Sequence, residues 1–247
     1  MPVLCKERPS PNFNERPAGR AVDMLLLHYT GMESGEAAAS RLCDPAAKVS
    51  AHYLVEEDGK ITRMVPEHLR AWHAGVGHWA GETDINGCSI GIEIVNGGHD
   101  FGCPPYPDAQ MAAVEALCLD ILSRHPIPAW RVLAHSDVAP VRKSDPGEWF
   151  DWARLARAGV GVRVDPESFV EGPVLQEGDR GDTVAELQYM LADFGYGLEV
   201  LGRYDEATKA VVTAFQRHFR PERVDGVADL STIATLRRLL EAVKSVA

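Results

Sequence analysis

Residues 134–147 place His135, Lys143 and Asp145 in one stretch interrupted by Pro140 and Pro146. Proline lacks a backbone donor and fixes φ, so the stretch reads as loop, where binding groups are commonly mounted on a rigid scaffold. Neutral imidazole and carboxylate are both good zinc ligands, and a hydrolytic zinc site takes three protein ligands and leaves a position open. His135 and Asp145 could supply two of them. The third must come from elsewhere in the chain. His28 follows the apolar run Met24-Leu25-Leu26-Leu27 and stands where the end of a buried strand would deliver it. The set His28, His135 and Asp145 is therefore a candidate site for one Zn²⁺ ion per chain.

The elements that must position these residues follow from periodicity. Residues 24–28 read as a buried strand and residues 33–43, rich in alanine, as a helix. Residues 51–56 and 60–65 flank the turn signal Glu57-Asp58-Gly59 and read as a hairpin. Ile90, Ile92 and Ile94 alternate with Ser89, Gly91 and Glu93, which puts Glu93 on the face opposite the isoleucines. Met111, Val114, Leu117, Cys118, Ile121 and Leu122 recur at helical spacing within 107–125, and a short strand at 131–134 delivers His135. Strands alternating with helices predict an α/β fold, a mixed central β-sheet flanked by helices. Residues 159–173 lapse into Gly, Val, Pro and charged residues and read as a linker. Beyond it Val184, Leu187, Leu191 and Phe194, then Val211, Phe215 and Phe219, then Leu230, Ile233, Leu236 and Leu240 predict a small C-terminal three-helix bundle. The expected organisation is a site-bearing domain at 1–158, a linker at 159–173 and a second domain at 174–247.

Composition narrows the function class. The 247 residues are 45% hydrophobic and 25% charged, ordinary values for a globular chain with room for one large or two unequal domains. Of the net charge of −11, residues 172–247 carry −3 and the remainder −8, so neither part has the basic footprint of a nucleic-acid binder. The cysteines at 5, 43, 88, 103 and 118 are odd in number and contain no C-x-x-C pair, so they suggest neither a disulfide framework nor a cysteine zinc knuckle. Residues 1–20 lack the apolar core of a secretory signal, and no run approaches the roughly 18 apolar residues of a membrane span. The default expectation is a cytoplasmic protein, with a periplasmic or cell-wall location as the alternative.

Five motifs, in this order along the chain, resemble one family. They are Leu27-His28-Tyr29-Thr30, Ser50-Ala51-His52-Tyr53-Leu54-Val55, Ala71-Trp72-His73-Ala74-Gly75, Gly91-Ile92-Glu93-Ile94-Val95-Asn96, and His135-Ser136-Asp137 through Lys143-Ser144-Asp145-Pro146-Gly147. The family is that of the zinc-dependent N-acetylmuramoyl-L-alanine amidases, in the branch of the bacterial recycling and lipoprotein amidases, related to phage lysozymes and peptidoglycan recognition proteins. The resemblance covers roughly residues 20 to 152. Asp145, where the phage and recognition-protein variant has cysteine, places the chain with the bacterial amidases. The phrases Leu175-Gln176-Glu177-Gly178-Asp179-Arg180-Gly181, Ala185-Glu186-Leu187-Gln188, Phe194-Gly195-Tyr196, Ala214-Phe215-Gln216 and Val224-Asp225-Gly226 resemble a three-helix peptidoglycan-binding module found beside many cell-wall hydrolases.

The resemblance implies zinc held by His28, His135 and Asp145, with Glu93 as general base and Lys143 stabilising the oxyanion. The residue-level alternative for Glu93 is a salt bridge at a strand edge, and for Lys143 a solvated loop cation. His73 is expected to line the substrate groove, and Tyr53 and Asn96 to contact substrate or brace the ligands, with a packing role as the alternative. His52 precedes Tyr53 and should point to the opposite face, so it is not counted as a ligand. His68, His78, His99, His125 and His218 lack motif context and are not counted either. The implied reaction is hydrolysis of the amide between N-acetylmuramic acid, or its 1,6-anhydro form, and L-alanine of the stem peptide. The partners are peptidoglycan or muropeptide fragments. The rival readings are a non-catalytic peptidoglycan recognition protein, and a zinc peptidase or deacetylase acting on another bond of the wall.

Overall fold

Alternation along the strands determines which face of the sheet carries the chemistry. The computed structural model describes residues 3–244. In chain order its elements are β1 (Cys5–Glu7), β2 (Phe13–Glu15), β3 (Met24–Tyr29), α1 (Gly35–Cys43), β4 (Tyr53–Val55), β5 (Ile61–Arg63), β6 (Leu69–Ala71), α2 (Ile85–Cys88), β7 (Ser89–Ile94), α3 (Asp108–Leu122), β8 (Val132–Ala134), α4 (His135–Val138), α5 (Trp152–Arg157), α6 (Asp182–Phe194), α7 (Glu206–Phe219) and α8 (Leu230–Lys244). A six-stranded sheet runs in the order β1-β5-β4-β7-β3-β8, and β2 pairs with β6 in a separate ribbon. β3 is parallel to both β7 and β8, β4 is parallel to β7, and β4 and β5 form the expected antiparallel hairpin. The fold is therefore α/β with a mixed central sheet.

Leu25, Leu27, Ile90, Ile92 and Ile94 face one side and pack against Met111, Val114, Leu117, Cys118 and Ile121 of α3. The opposite side carries Met24, Leu26 and Leu133, which join a single apolar cluster with Trp79, Ile85 and the core of the C-terminal bundle, including Val184, Leu191, Phe194, Phe215 and Phe219. The bundle thus shares a core with the sheet-bearing part of the chain. Asp205 caps α7 by accepting from the Thr208 amide, and the apolar residues at helical spacing on α6 and α7 are buried as expected, whereas on α8 Leu236 is buried, Ile233 and Leu240 are partly buried and Leu230 is exposed where the helix begins. Residues 159–173 contain no helix or strand, yet they are pinned to α8. Ser231 donates to the Glu167 carbonyl, the Glu167 amide donates to Thr235, and Arg238 donates to the Asp165 carbonyl. No described helix is long and apolar enough to cross a membrane.

Candidate active site

The carboxyl ends of β3 and β8, where open parallel sheets generally bind ligands, converge on a cavity of about 410 Å³. His28 is the penultimate residue of β3, Glu93 is its Cα partner on β7, and His135 directly follows β8. The sequence predicts loop at His135, but residues 135–138 form a single helical turn. The Asp137 carboxylate closes that turn by accepting from the Ala134 amide. His28, Glu93, His135, Lys143 and Asp145 all line the cavity. The structure thus brings the expected ligands together with the expected base and cation.

The three ligand atoms form a tight triangle. His28 Nδ1 lies 2.9 Å from His135 Nδ1 and 3.1 Å from Asp145 Oδ2, and His135 Nδ1 lies 3.0 Å from Asp145 Oδ2. His135 Nε2 donates to the Ala74 carbonyl at 2.9 Å, which leaves its Nδ1 lone pair facing the triangle. His28 Nε2 donates to His73 Nδ1 at 3.0 Å, His73 Nε2 to Ser89 Oγ at 3.2 Å, and Ser89 Oγ to the Ile85 carbonyl at 2.6 Å. That relay assigns each ring proton and leaves His28 Nδ1 bare as well. Three electron-rich atoms facing one another call for a cation. Ligands about 2.0–2.1 Å from a tetrahedral zinc stand roughly 3.3 Å apart, within a few tenths of an ångström of the triangle. The donor set fits a metal ion, and the outward hydrogen bonds are those that orient metal-ligating histidines.

Electrostatics agree with that reading. Burial, reinforced by His135, holds the His28 pKa down at about 4, so the ring is neutral and able to ligate at neutral pH. Burial opposes ionisation of Asp145, yet the flanking imidazoles of His135 and His28 hold its carboxyl well below the usual carboxylate range. Glu93 moves the other way. Burial first, and then the Asp145 carboxylate, push its pKa well above the ordinary value against the pull of Lys143. Its Oε2 is buried without a hydrogen-bond partner among the described residues, which is costly for a carboxylate kept only for structure.

His73 lines the cavity as expected, but its ring is also the hydrogen-bond partner of His28. Gly91 makes room for it, since a Cβ at 91 would lie 2.4 Å from His73 Cγ. Gly91→Ala should therefore cost about 1–3 kcal/mol by overpacking and reduce activity by tilting His28. Thermal denaturation together with an amide-cleavage assay checks this, and a variant with wild-type melting and rate contradicts it.

Two expected contacts fall elsewhere. Tyr53 pairs with Ile92 and so faces the α3 side of the sheet, where its hydroxyl donates to Glu67 Oε1 at 2.7 Å. Glu67 is also bound by Arg124 and His125, away from the cavity. Asn96 is buried, donating to the Pro104 carbonyl and accepting from the Gly98 amide, so it shapes a turn. Alternation alone does not assign Tyr53 to a face, because its side follows from the β4–β7 register that pairs it with Ile92. Tyr53→Phe is expected to leave the cleavage rate unchanged and to lower stability by about 0.5–1.5 kcal/mol. A fall in rate without a fall in stability would return Tyr53 to the site. His52 lies on the site side but is held by Arg16 and the Gly91 amide, with no place in the triangle. Residues not singled out from the sequence also line the cavity, among them Tyr29, Arg41, Trp72 and Arg142, and Tyr29 is hydrogen-bonded to Ser144.

Two buried histidines and a buried aspartate at a parallel sheet end, with a carboxylate that has no hydrogen-bond partner among the described residues and a lysine lining the same cavity, make a candidate hydrolase centre of the metal-site type. Residues 18–148 match the N-acetylmuramoyl-L-alanine amidase family, to which the chain belongs, and residues 180–236 match a putative peptidoglycan binding domain. The chain is 36% identical over 232 residues to the N-acetylmuramoyl-L-alanine amidase AmiD of Escherichia coli, covering 89% of this chain and 83% of the relative. It is 37% identical over 170 residues to the 1,6-anhydro-N-acetylmuramyl-L-alanine amidase AmpD of the same organism, covering 62% of this chain and 91% of the relative. Among solved structures it is similar to E. coli AmiD in complex with anhydro-N-acetylmuramic acid-L-Ala-D-gamma-Glu-L-Lys, with a TM-score of 0.77, 34% identity, and 94% and 98% of the two chains covered. AmpDh3 of Pseudomonas aeruginosa in complex with anhydromuramic pentapeptide gives a TM-score of 0.73 at 33% identity, with 92% and 94% covered.

Proposed function

We propose that this amidase hydrolyses the bond between the lactyl carbonyl of N-acetylmuramic acid, or its 1,6-anhydro form, and L-alanine of the stem peptide, in cell-wall turnover or recycling. The observation that carries the reading is the triangle of His28, His135 and Asp145 with the unpartnered Glu93 carboxylate in the same cavity. The bound muropeptides of the similar AmiD and AmpDh3 structures support the substrate class. Zn²⁺ held by the three ligands would act as a Lewis acid on the carbonyl and lower the pKa of a coordinated water to about 7.

The chain's own residues do the rest. Glu93 takes the proton of the attacking water and later returns it to the leaving nitrogen of L-alanine. Lys143 lines the same cavity two residues before Asp145, and its charge would meet the negative charge that gathers on the carbonyl oxygen during attack. His73 and the Ala74 carbonyl hold the two imidazoles in the tautomers that face inward. We assign residues 1–158 to the catalytic unit, 159–173 to a connecting segment and 174–247 to a peptidoglycan-binding unit, which raises the local concentration of wall substrate. The five unpaired cysteines favour a reducing, cytoplasmic compartment, which cell fractionation tests.

Mass spectrometry of a digest of anhydro-muropeptide tests the reaction. The expected products are an intact stem peptide with a free L-alanine amine and an intact sugar with a free lactyl carboxylate. Cleavage inside the peptide, or loss of acetate from the sugar, would replace this reading with a peptidase or a deacetylase.

A further inference from the structure

Asp137 sits two residues beyond His135 and is fully buried, yet most of its hydrogen bonds come from the far end of the chain. Its Oδ2 accepts from the Ala134 amide at 2.8 Å and from His218 Nδ1 at 2.7 Å, and its Oδ1 accepts from the Tyr196 hydroxyl at 2.7 Å. Tyr196 follows α6 and His218 is on α7, so two of the three donors belong to the C-terminal bundle. A carboxylate this deep is strongly destabilising unless its donors are in place. Both donors are held rigidly. The His218 ring stacks on Trp152 at 3.7 Å between centroids, and Tyr196 packs edge-on against Trp79 at 5.0 Å.

The turn that Asp137 anchors is the one that presents the metal ligands. His135 opens it, and the Ser136 amide donates to the Asp145 carbonyl at 3.0 Å, so the backbones of both ligands hang from the same four residues. The far end of the turn is tied in the same direction. The Val138 carbonyl accepts from the His78 amide at 2.8 Å, and the Ala80 amide donates to the Gly195 carbonyl at 2.7 Å, next to Tyr196.

We propose that the C-terminal bundle braces the metal centre: His218 and Tyr196 are positioning residues that, through Asp137, fix the turn carrying His135 and the backbone of Asp145. This rests on the zinc reading above and extends it, since a module that only tethers substrate has no reason to fill the buried coordination of the ligand turn. The brace couples the two units energetically, so a lesion at the bundle contact registers at the metal.

The test uses the full chain. Zn²⁺ affinity is measured by competition with a chromogenic chelator, and kcat and KM are measured on anhydro-muropeptide. His218→Leu and Tyr196→Phe are expected to weaken zinc binding by about 10-fold to 100-fold and to lower kcat more than KM. His218→Asn, whose amide nitrogen can stand near the position of Nδ1, recovers most of the affinity. Leu239→Ala, buried on α8, which carries none of the donors to Asp137, lowers the melting temperature and leaves zinc affinity unchanged. Tyr196→Phe removes a single oxygen, so the test survives if His218→Leu does not fold. Wild-type zinc affinity in folded Tyr196→Phe and His218→Leu overturns the brace, as does an equal loss in Leu239→Ala. Failure of the wild-type protein itself to bind zinc overturns the underlying reading and the brace with it.

Discussion

Replacing Glu93 with glutamine lowers amide cleavage by roughly 10²–10⁴-fold while zinc stays bound. The size of the effect follows from where the carboxylate sits. It lies beside His28 across the β3–β7 pair, on the face opposite the isoleucines, with Oε2 buried and unpartnered among the described residues. Glutamine keeps the shape and removes the base. The metal triangle does not include residue 93, so metal content should match the wild type. The pH profile gives a second reading of the same group. Burial and Asp145 raise the Glu93 pKa, so the fraction able to accept a proton grows as pH rises through that pKa. The wild-type kcat/KM should climb along this acid limb, and the glutamine variant should lack it. A glutamine variant with full activity, or with the same acid limb, would remove Glu93 from the chemistry.

Lys143→Met is expected to reduce kcat by about 10²–10³-fold with little change in KM. Lys143 lines the cavity next to the ligand Asp145 and has no ion-pair partner among the described residues, so its charge is free to meet the substrate. An ammonium that meets charge developing only during attack stabilises the transition state more than bound substrate, which predicts an effect on kcat. Steady-state kinetics on anhydro-muropeptide separate the two parameters. An effect confined to KM would make Lys143 a substrate anchor.

Strands and helices with strong periodicity were legible in the sequence. The isoleucine alternation became β7, the apolar run before His28 became β3, and the helical spacing in 107–125 became α3 (Asp108–Leu122). The strands β1, β2 and β6 were not legible, because no turn signal frames them as the hairpin turn frames β4 and β5, and their pairing is set by distant partners. At the site, motif order singled out the residues that line the cavity, His28, Glu93, His135, Lys143, Asp145 and His73. Tyr53 and Asn96 were drawn in by motif membership alone, and the pleat turns Tyr53 to the other face of the sheet. The partnership of Asp137 with His218 was beyond reach, since the two are 81 residues apart and neither periodicity nor spacing links them. The segment 159–173 read as a linker because its composition is loop-like, and the structure adds that its backbone is fastened to α8.

Metal titration of the stripped protein tests the zinc amidase centre most directly. Chelator-treated protein should release no stem peptide from anhydro-muropeptide, and activity should rise linearly with added Zn²⁺ and break at one equivalent, the stoichiometry of a single His28, His135 and Asp145 triangle. Undiminished stem-peptide release from metal-free protein, or a metal-bound protein that releases none, would contradict it.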